Sequence, residues 1–460
     1  MERCDGNLLL LGDDEEQQKT CERLIRTWSG REGALVVFDS RGWNEEYGDG
    51  HLAASGAGNV PDYLKPVLQH PELGATPGAA AEYLAPICTP KSFRLNVTND
   101  EFWENMAFQT NAQYLEYQVA LLKQEDDGHA LRTAAKRHRL LLDGMEAIAL
   151  SNKDEIEGQI KKIKEESAAD QGLNPKIFSE DDPFDPAWKP VLRSRSVLSS
   201  PPQGQGAPKE ARQEIKALGA MGLFQYTTAP FKGTLMGKGG TQGGHLALSV
   251  LRTAQAQHSS LAALFNAMIR AEKRAKLPSS APFDVKKFVL TPTKALFVPA
   301  LRNPEANVGL ARVALAGLCA AADSQERRVT FLVPDLERWG LWRGLLHVLD
   351  VFPESVRFIV GYGDLYALRQ ALGQERRDEV LSQLLPHADA VAWHHTQDPM
   401  LNDVFKERFS NKVRVCELNM LEGYVAWERR GRKLEFIPED NLSEPERLGP
   451  TEDALAERSV

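Results

Sequence analysis

The feature that most constrains this 460-residue chain is a regular alternation of short apolar runs with amphipathic stretches, densest after position 294. Strands are predicted at 294–300 (KALFVPA), 327–336 (RRVTFLVPDL), 356–363 (VRFIVGYG), 388–395 (ADAVAWHH) and 412–418 (KVRVCEL), with helices at 307–322, 339–350, 364–385 and 399–409. Apolar runs without an alternating polar face suit strands buried on both sides, and their alternation with helices calls for a mainly parallel sheet covered on both faces. The N-terminus opens in the same way. NLLLLG (7–12) and GALVVFDSRG (33–42) flank a stretch in which Cys21, Leu24, Ile25 and Trp28 share one helical face.

The middle of the chain reads differently. Residues 43–100 are rich in Gly, Pro and Ala and are expected to be mostly loop with short elements. From 99–124 to 151–172 the pattern is helical, with Asn99 or Asp100 as cap and charge pairs such as Glu157 with Lys161 one turn apart. The stretch 173–212 holds seven prolines and few periodic apolar positions, which suits an exposed loop or linker. Helices are expected again near 209–221 and at 243–276, separated by a Gly-rich turn that includes MGKGGTQGGH (236–245). The division that follows is 1–98 and 213–436 as two parts of one α/β domain, 99–172 as a helical insertion, 173–212 as linker and 437–460 as polar tail.

Residues 8–20, LLLLGDDEEQQKT, have the outline of a phosphate-binding loop: an apolar strand, a glycine, then Lys19-Thr20 opening a helix. Such a loop needs glycines, because successive backbone N–H groups must converge on phosphate in positive-φ conformations with no Cβ in the way. Here Gly12 can serve as the first glycine, but Gln18 stands where the second belongs. Asp13, Asp14, Glu15 and Glu16 also crowd the turn. One carboxylate about 6 Å from a phosphate charge opposes it by roughly 3 kcal/mol at an effective dielectric near 20. The same letters suit a helix that caps itself, with Asp13 as N-cap, Glu16 completing a capping box, and all four acids against the positive end of the helix dipole. An active, divergent ATP site and an acidic metal-binding loop are the other readings of this stretch.

Composition narrows the classes. A net charge of −9 and a pI near 5.7 exclude a surface that grips nucleic acid all over, leaving local basic patches such as Lys136, Arg137, His138 and Arg139. A solvated helix face is the favoured account of that patch. Five scattered cysteines with no CxxC pair suggest neither a disulfide framework nor a zinc site, and fit a reducing cytoplasm. No apolar run approaches the roughly 18 residues of a membrane helix, so no membrane segment is expected in this chain. His394 and His395 end a predicted strand, where neighbours point to opposite faces, so they are expected as core or loop-edge histidines with satisfied partners, not as one bidentate metal site. No G-x-S-x-G elbow, HExxH pair or Cys and His arrangement points to hydrolase chemistry.

The order of segments resembles the nucleotide-binding domain of the type IV coupling proteins, the TraD/TraG-like motors of conjugation and type IV secretion. VVFDSRGW (36–43) is similar to that family's second-strand turn, and DEFWENMAFQTNAQYLEYQVALL (100–122) to the Phe-Trp helix that follows it. RRVTFLVPDLERWG (327–340) and the run from FIVGYG (358–363) to KVRV (412–415) continue the likeness. The resemblance implies a RecA-like P-loop fold, α/β with a mainly parallel sheet, interrupted by an all-α insertion.

Carried over residue by residue, the resemblance places Gly12, Lys19 and Thr20 at the nucleotide phosphates. Pro334 and Asp335 fall where the family has Asp-Glu, so Asp335 or Glu337 would polarise water if the site were active, and Gly363 falls where the family has glutamine. Lys136, Arg137 and Arg139 become candidates for a DNA contact. The function implied is a coupling-protein-like subunit, most simply a pseudo-ATPase with no cofactor that acts through protein or DNA contacts. The alternative is a divergent but active DNA-translocating ATPase using Mg-ATP. Expected partners are secretion or conjugation machinery proteins, DNA, and copies of itself or of an intact homologous ATPase, in the cytoplasm or at the periphery of a membrane complex.

Overall fold

The computed structural model describes residues 6–28, 33–43, 61–89, 100–122, 135–136, 240–274, 284–290, 295–362, 383–409, 418, 421, 424–429 and 434–438. The chain divides into two compact units, the first made of Met1–Ser55, Asp284–Arg302 and Leu318–Val460, the second of Gly56–Phe283 and Asn303–Gly317. The predicted helix at 209–221, residues 364–382 of that at 364–385, residues 412–417 of the predicted strand 412–418, the linker 173–212, Gly363, Arg137 and Arg139 lie outside the described residues.

The first unit is built on one eight-stranded sheet. Its strands are β1 (Leu8–Leu11), β2 (Ala34–Asp39), β3 (Leu296–Pro299), β4 (Val329–Val333), β5 (Val356–Tyr362), β6 (Ala390–Trp393), β7 (Tyr424–Arg429) and β8 (Glu435–Pro438). They run in the order β3-β2-β4-β5-β1-β6-β7-β8. Every pair from β3 to β6 is parallel, whereas β6–β7 and β7–β8 are antiparallel. With β1 held inside the sheet between β5 and β6, and β5 separating it from β4, this is the RecA-like arrangement expected from the sequence. Leu8 to Leu11 are 0–1% exposed, which explains why β1 shows no alternation: both its faces are core.

Helix α1 (Asp14–Thr27) covers one face of this sheet. Its Cys21, Leu24 and Ile25 join Leu8, Leu10, Leu35, Val37, Phe297, Leu332 and Ile359 in one buried cluster, with Trp28 packed at the rim. On β6, Trp393 packs edge-on against Phe405 and Phe409 of the helix Pro399–Phe409. The predicted helix 339–350 is found as Trp342–Val351, preceded by a separate short helix, Leu336–Trp339. Gly340 ends that short helix at φ 57°, the left-handed conformation that glycine adopts without strain at a helix end. The hairpin β7–β8 was not anticipated, and its last residues, Glu435–Pro438, overlap the start of the expected polar tail.

In the second unit, residues 61–89 are more helical than their Gly, Pro and Ala content suggested. Helices α2 (Leu64–Leu68) and α3 (Pro77–Cys88) form there. Thr76 caps α3 by accepting from the Ala79 N–H at 3.1 Å, Pro77 occupies the first turn where its missing N–H is harmless, and the alanines that resemble loop composition are the strongest helix formers. Helix α4 (Asp100–Leu122) packs on α3 and on α5 (Gly240–Arg274). Asn111 Nδ2 donates across that second contact to Ala254 O at 3.2 Å and Gln257 Oε1 at 2.8 Å. Because α5 begins at Gly240, part of the expected Gly-rich turn is helix.

Among the described residues one helix, Pro304–Asp323, is long and apolar enough to cross a membrane, and 83% of that stretch is buried within the protein, as in a core helix. Cys21, Cys88 and Cys319 are buried free thiols.

Candidate functional site

Parallel strands deliver their carboxyl ends to one edge of a sheet, the usual place for an α/β site. At that edge β1, β2, β4, β5 and β6 present Gly12, Asp39 to Trp43, Asp335, Gly361 and His394-His395.

The connection from β1 to α1 consists of Gly12 and Asp13 alone. Gly12 sits at φ 140°, and a Cβ there would lie 2.6 Å from His394 Cβ and 2.9 Å from His394 O, so only glycine fits. Backbone bonds fix this turn to the end of β6: the His394 N–H donates to Leu11 O at 2.7 Å and the Asp13 N–H to His395 O at 2.9 Å. Gln17 Nε2 donates to Gly12 O at 2.8 Å, and the Asp13 carboxylate lies 3.3 Å from His395 Nδ1. The expected capping box is not formed. Asp13 has the extended backbone of an N-cap (φ −68°, ψ 145°), but its side chain makes no cap bond, and Glu16 turns instead to Lys19, with Oε1 2.7 Å from Nζ. The carboxylate that could have capped the helix is directed to His395.

Lys19 and Thr20 do not open α1. They fall in its second turn, with Lys19 about 7.5 Å along the axis from Asp14 at 1.5 Å per residue. The Lys19 side chain is 61% exposed, while Thr20 is buried. Gly12 thus stands in the β1–α1 turn, whereas Lys19 and Thr20 lie in the second turn of α1, one exposed and one buried.

A second constellation closes the neighbouring strand ends. Asp39 Oδ1 accepts three backbone N–H groups, from Arg41 (3.0 Å), Gly42 (2.7 Å) and Trp43 (3.0 Å), which folds DSRGW into a tight turn. That turn aims two donors at Asp335, which is 6% exposed: Ser40 Oγ donates to Oδ2, and Arg41 Nη2 lies 3.0 Å from Oδ1. Arg41 also reaches Gln18 Oε1 on α1 at 3.4 Å, and Trp43 Nε1 donates to Glu22 Oε1 at 3.3 Å. Each oxygen of Asp335 is thus occupied by a group of the protein itself. Glu337 lies on the short helix Leu336–Trp339, and its side chain is outside the described residues. Gly361 lets the layers meet, since a Cβ there would stand 2.4 Å from Pro334 O and 2.7 Å from Gln17 Oε1.

His394 departs from expectation. It is fully buried, yet neither ring nitrogen has a hydrogen-bond partner among the described residues. Burial pushes its pKa down to about 4; Glu16 acts to raise it and Lys19 to lower it further. Among the described residues no group of three or more His, Cys, Asp or Glu is placed to hold a metal ion. Lys136 is exposed, as a nucleic-acid contact or a solvated helix face both require.

Sequence reasoning missed Gln17, Ser40 and Arg41 as members of the site. The Asp39-Ser40-Arg41-Gly42 turn was a visible signal, but its target, Asp335, lies 294 residues from Arg41.

Fold and site together define a RecA-like α/β domain whose β1–α1 connection and β4 carboxylate are engaged by its own side chains. No protein-family model and no curated protein sequence matches the chain. Solved structures do resemble it. A plasmid coupling protein TrwB in complex with ADP and Mg2+ is 12% identical, with a TM-score of 0.48 over 97% of this chain and 87% of that one. The bacterial conjugative coupling protein TrwBdeltaN70 in an unbound monoclinic form is 12% identical, with a TM-score of 0.46 over 96% and 87%. Its trigonal form in complex with sulphate is 10% identical, with a TM-score of 0.43 over 94% and 78%. Likeness at these identities concerns the fold alone.

Proposed function

We propose that this chain is a coupling-protein-like subunit of a conjugation or type IV secretion apparatus that has given up ATP turnover and works through contacts with protein or DNA. The class of work rests on the order of segments, from the β1 strand through the DSRGW turn and the helical stretch to the later strands. The loss of turnover rests on one observation above the rest: the β1–α1 connection is two residues long, and the Asp13 N–H that a phosphate would need already bonds His395 O. A phosphate cradle requires several converging N–H groups, and a two-residue turn has no room for them. Asp335 supports the same reading, because a metal ion or attacking water would have to displace Arg41 and Ser40 from a nearly enclosed carboxylate.

Titration with a fluorescent ATP analogue and magnesium tests this reading. No saturable binding is expected in the micromolar range, and phosphate release should stay at background with or without DNA. Micromolar affinity abolished by Lys19→Ala, or DNA-stimulated release lost in Asp335→Asn, would overturn it. A complex with an intact homologous ATPase would leave the chain's own turnover at background while giving it a place beside a working motor.

A further inference from the structure

The Gly12-Asp13 turn is clasped to His394-His395 by two backbone bonds, of 2.7 and 2.9 Å, and by the 3.3 Å pairing of Asp13 with His395. Under that clasp lies the imidazole of His394, buried and without a hydrogen-bond partner among the described residues. A neutral imidazole carries one donor and one acceptor, both bonded to water when exposed. Enclosing them unsatisfied favours any state in which they regain partners. The clasp therefore holds a group that gains from leaving.

We propose that the Gly12-Asp13 turn and the His394-His395 segment form an acid-released clasp, shut while His394 is neutral and opened when His394 takes a proton and moves into water. Opening would free the Asp13 N–H and uncover the first turn of α1, the surface on which any acidic ligand or partner side chain would have to dock. The charged groups around His394 are Glu16 and Lys19 from α1, Asp13 from the turn and His395 from its own segment. Glu16 assists proton uptake, Lys19 opposes it, and burial outweighs both. Asp13 and His395 stand 3.3 Å apart beside it, and the clasp opens through His394. This goes beyond the proposed function, because the opening of the turn does not depend on whether nucleotide binds.

Amide hydrogen exchange on the full chain tests it, following peptides that span 10–16 and 390–397, with β5 peptides as the internal reference and intrinsic rates corrected for pH. With His394 near 4 when shut and near its ordinary 6.5 when open, the opening equilibrium should rise about 30-fold between pH 7.5 and pH 5. His394→Leu, which has nothing to protonate, should show no such rise. Unchanged protection in the wild type, an equal rise in His394→Leu, or parallel loss of protection in β5 would each overturn the clasp. The wild-type comparison with β5 decides the matter even if the variant does not fold.

Discussion

Gly12→Ala separates a glycine kept for packing from one kept for phosphate. The structure assigns two penalties to the added methyl. Holding an L-residue at φ 140° costs about 1–3 kcal/mol. The methyl would also stand 2.6 Å from His394 Cβ and 2.9 Å from His394 O, and part of that obstruction is backbone that cannot rotate away, adding about 1–3 kcal/mol of overpacking. The two ranges sum to about 2–6 kcal/mol, centred near 4 kcal/mol.

Gly42→Ala provides the control. Gly42 also has a positive φ, 86°, but a Cβ there meets nothing within 4 Å among the described residues, so only the backbone penalty applies. The assay is hydrogen exchange of the most protected β1 amides, which report opening of the sheet unit. At 1.4 kcal/mol per tenfold, Gly12→Ala should accelerate them by about 100-fold or more, and Gly42→Ala by about tenfold. If Gly12→Ala changed exchange less than threefold while altering nucleotide affinity, the turn would be an open loop, and the packing argument would fail.

Two further outcomes follow from the geometry. A double-mutant cycle of Arg41→Ala and Asp335→Ala should give a coupling of about 1–3 kcal/mol in urea unfolding, because the pair is buried on the Asp335 side and partly screened on the Arg41 side; a coupling within 0.3 kcal/mol of zero would remove the lock. In the second unit His258 is fully buried and burial lowers its pKa to about 3, so the unfolded chain binds the extra proton below pH 6.5. The stability it contributes is complete above that pH and falls by about 3 kcal/mol on reaching pH 4.5. Exchange of peptides from Gly240–Arg274 should therefore rise with acid in the wild type and stay flat in His258→Leu, and equal slopes would refute the assignment.

Strands β1 and β2 and the alternation after position 294 were readable because burial on both faces leaves an unbroken apolar run, a signal carried by neighbouring residues. Helix α3 was hidden, since PGAAAEYLAPIC has a loop's composition and a helix's propensity, and only Thr76 at its head tips the balance. The carboxyl edge was legible in outline only. Gly12, Asp39 and Asp335 could each be placed at a strand end. That Arg41 turns toward Asp335, or that the Asp13 carboxylate goes to His395 rather than capping α1, is decided by partners hundreds of residues away. The start of α1 was ambiguous for a different reason: every residue from Asp13 to Glu16 suits a first turn, so the letters could not say that the connection would be so short.

On the proposed reading, the length of that connection bears on the chain's history as well as its chemistry. Substitution exchanges one side chain for another and leaves the distance from strand to helix as it was. Restoring glycine at position 18 would put it inside α1, in helical conformation, far from any phosphate. Recovering a cradle would take inserted residues at Gly12, release of the turn from His394-His395 and withdrawal of Arg41 from Asp335, and no one of these changes helps without the others. If turnover was lost as proposed, the loss runs in one direction, as a ratchet does, and related chains should vary freely at Lys19 while keeping the two-residue step.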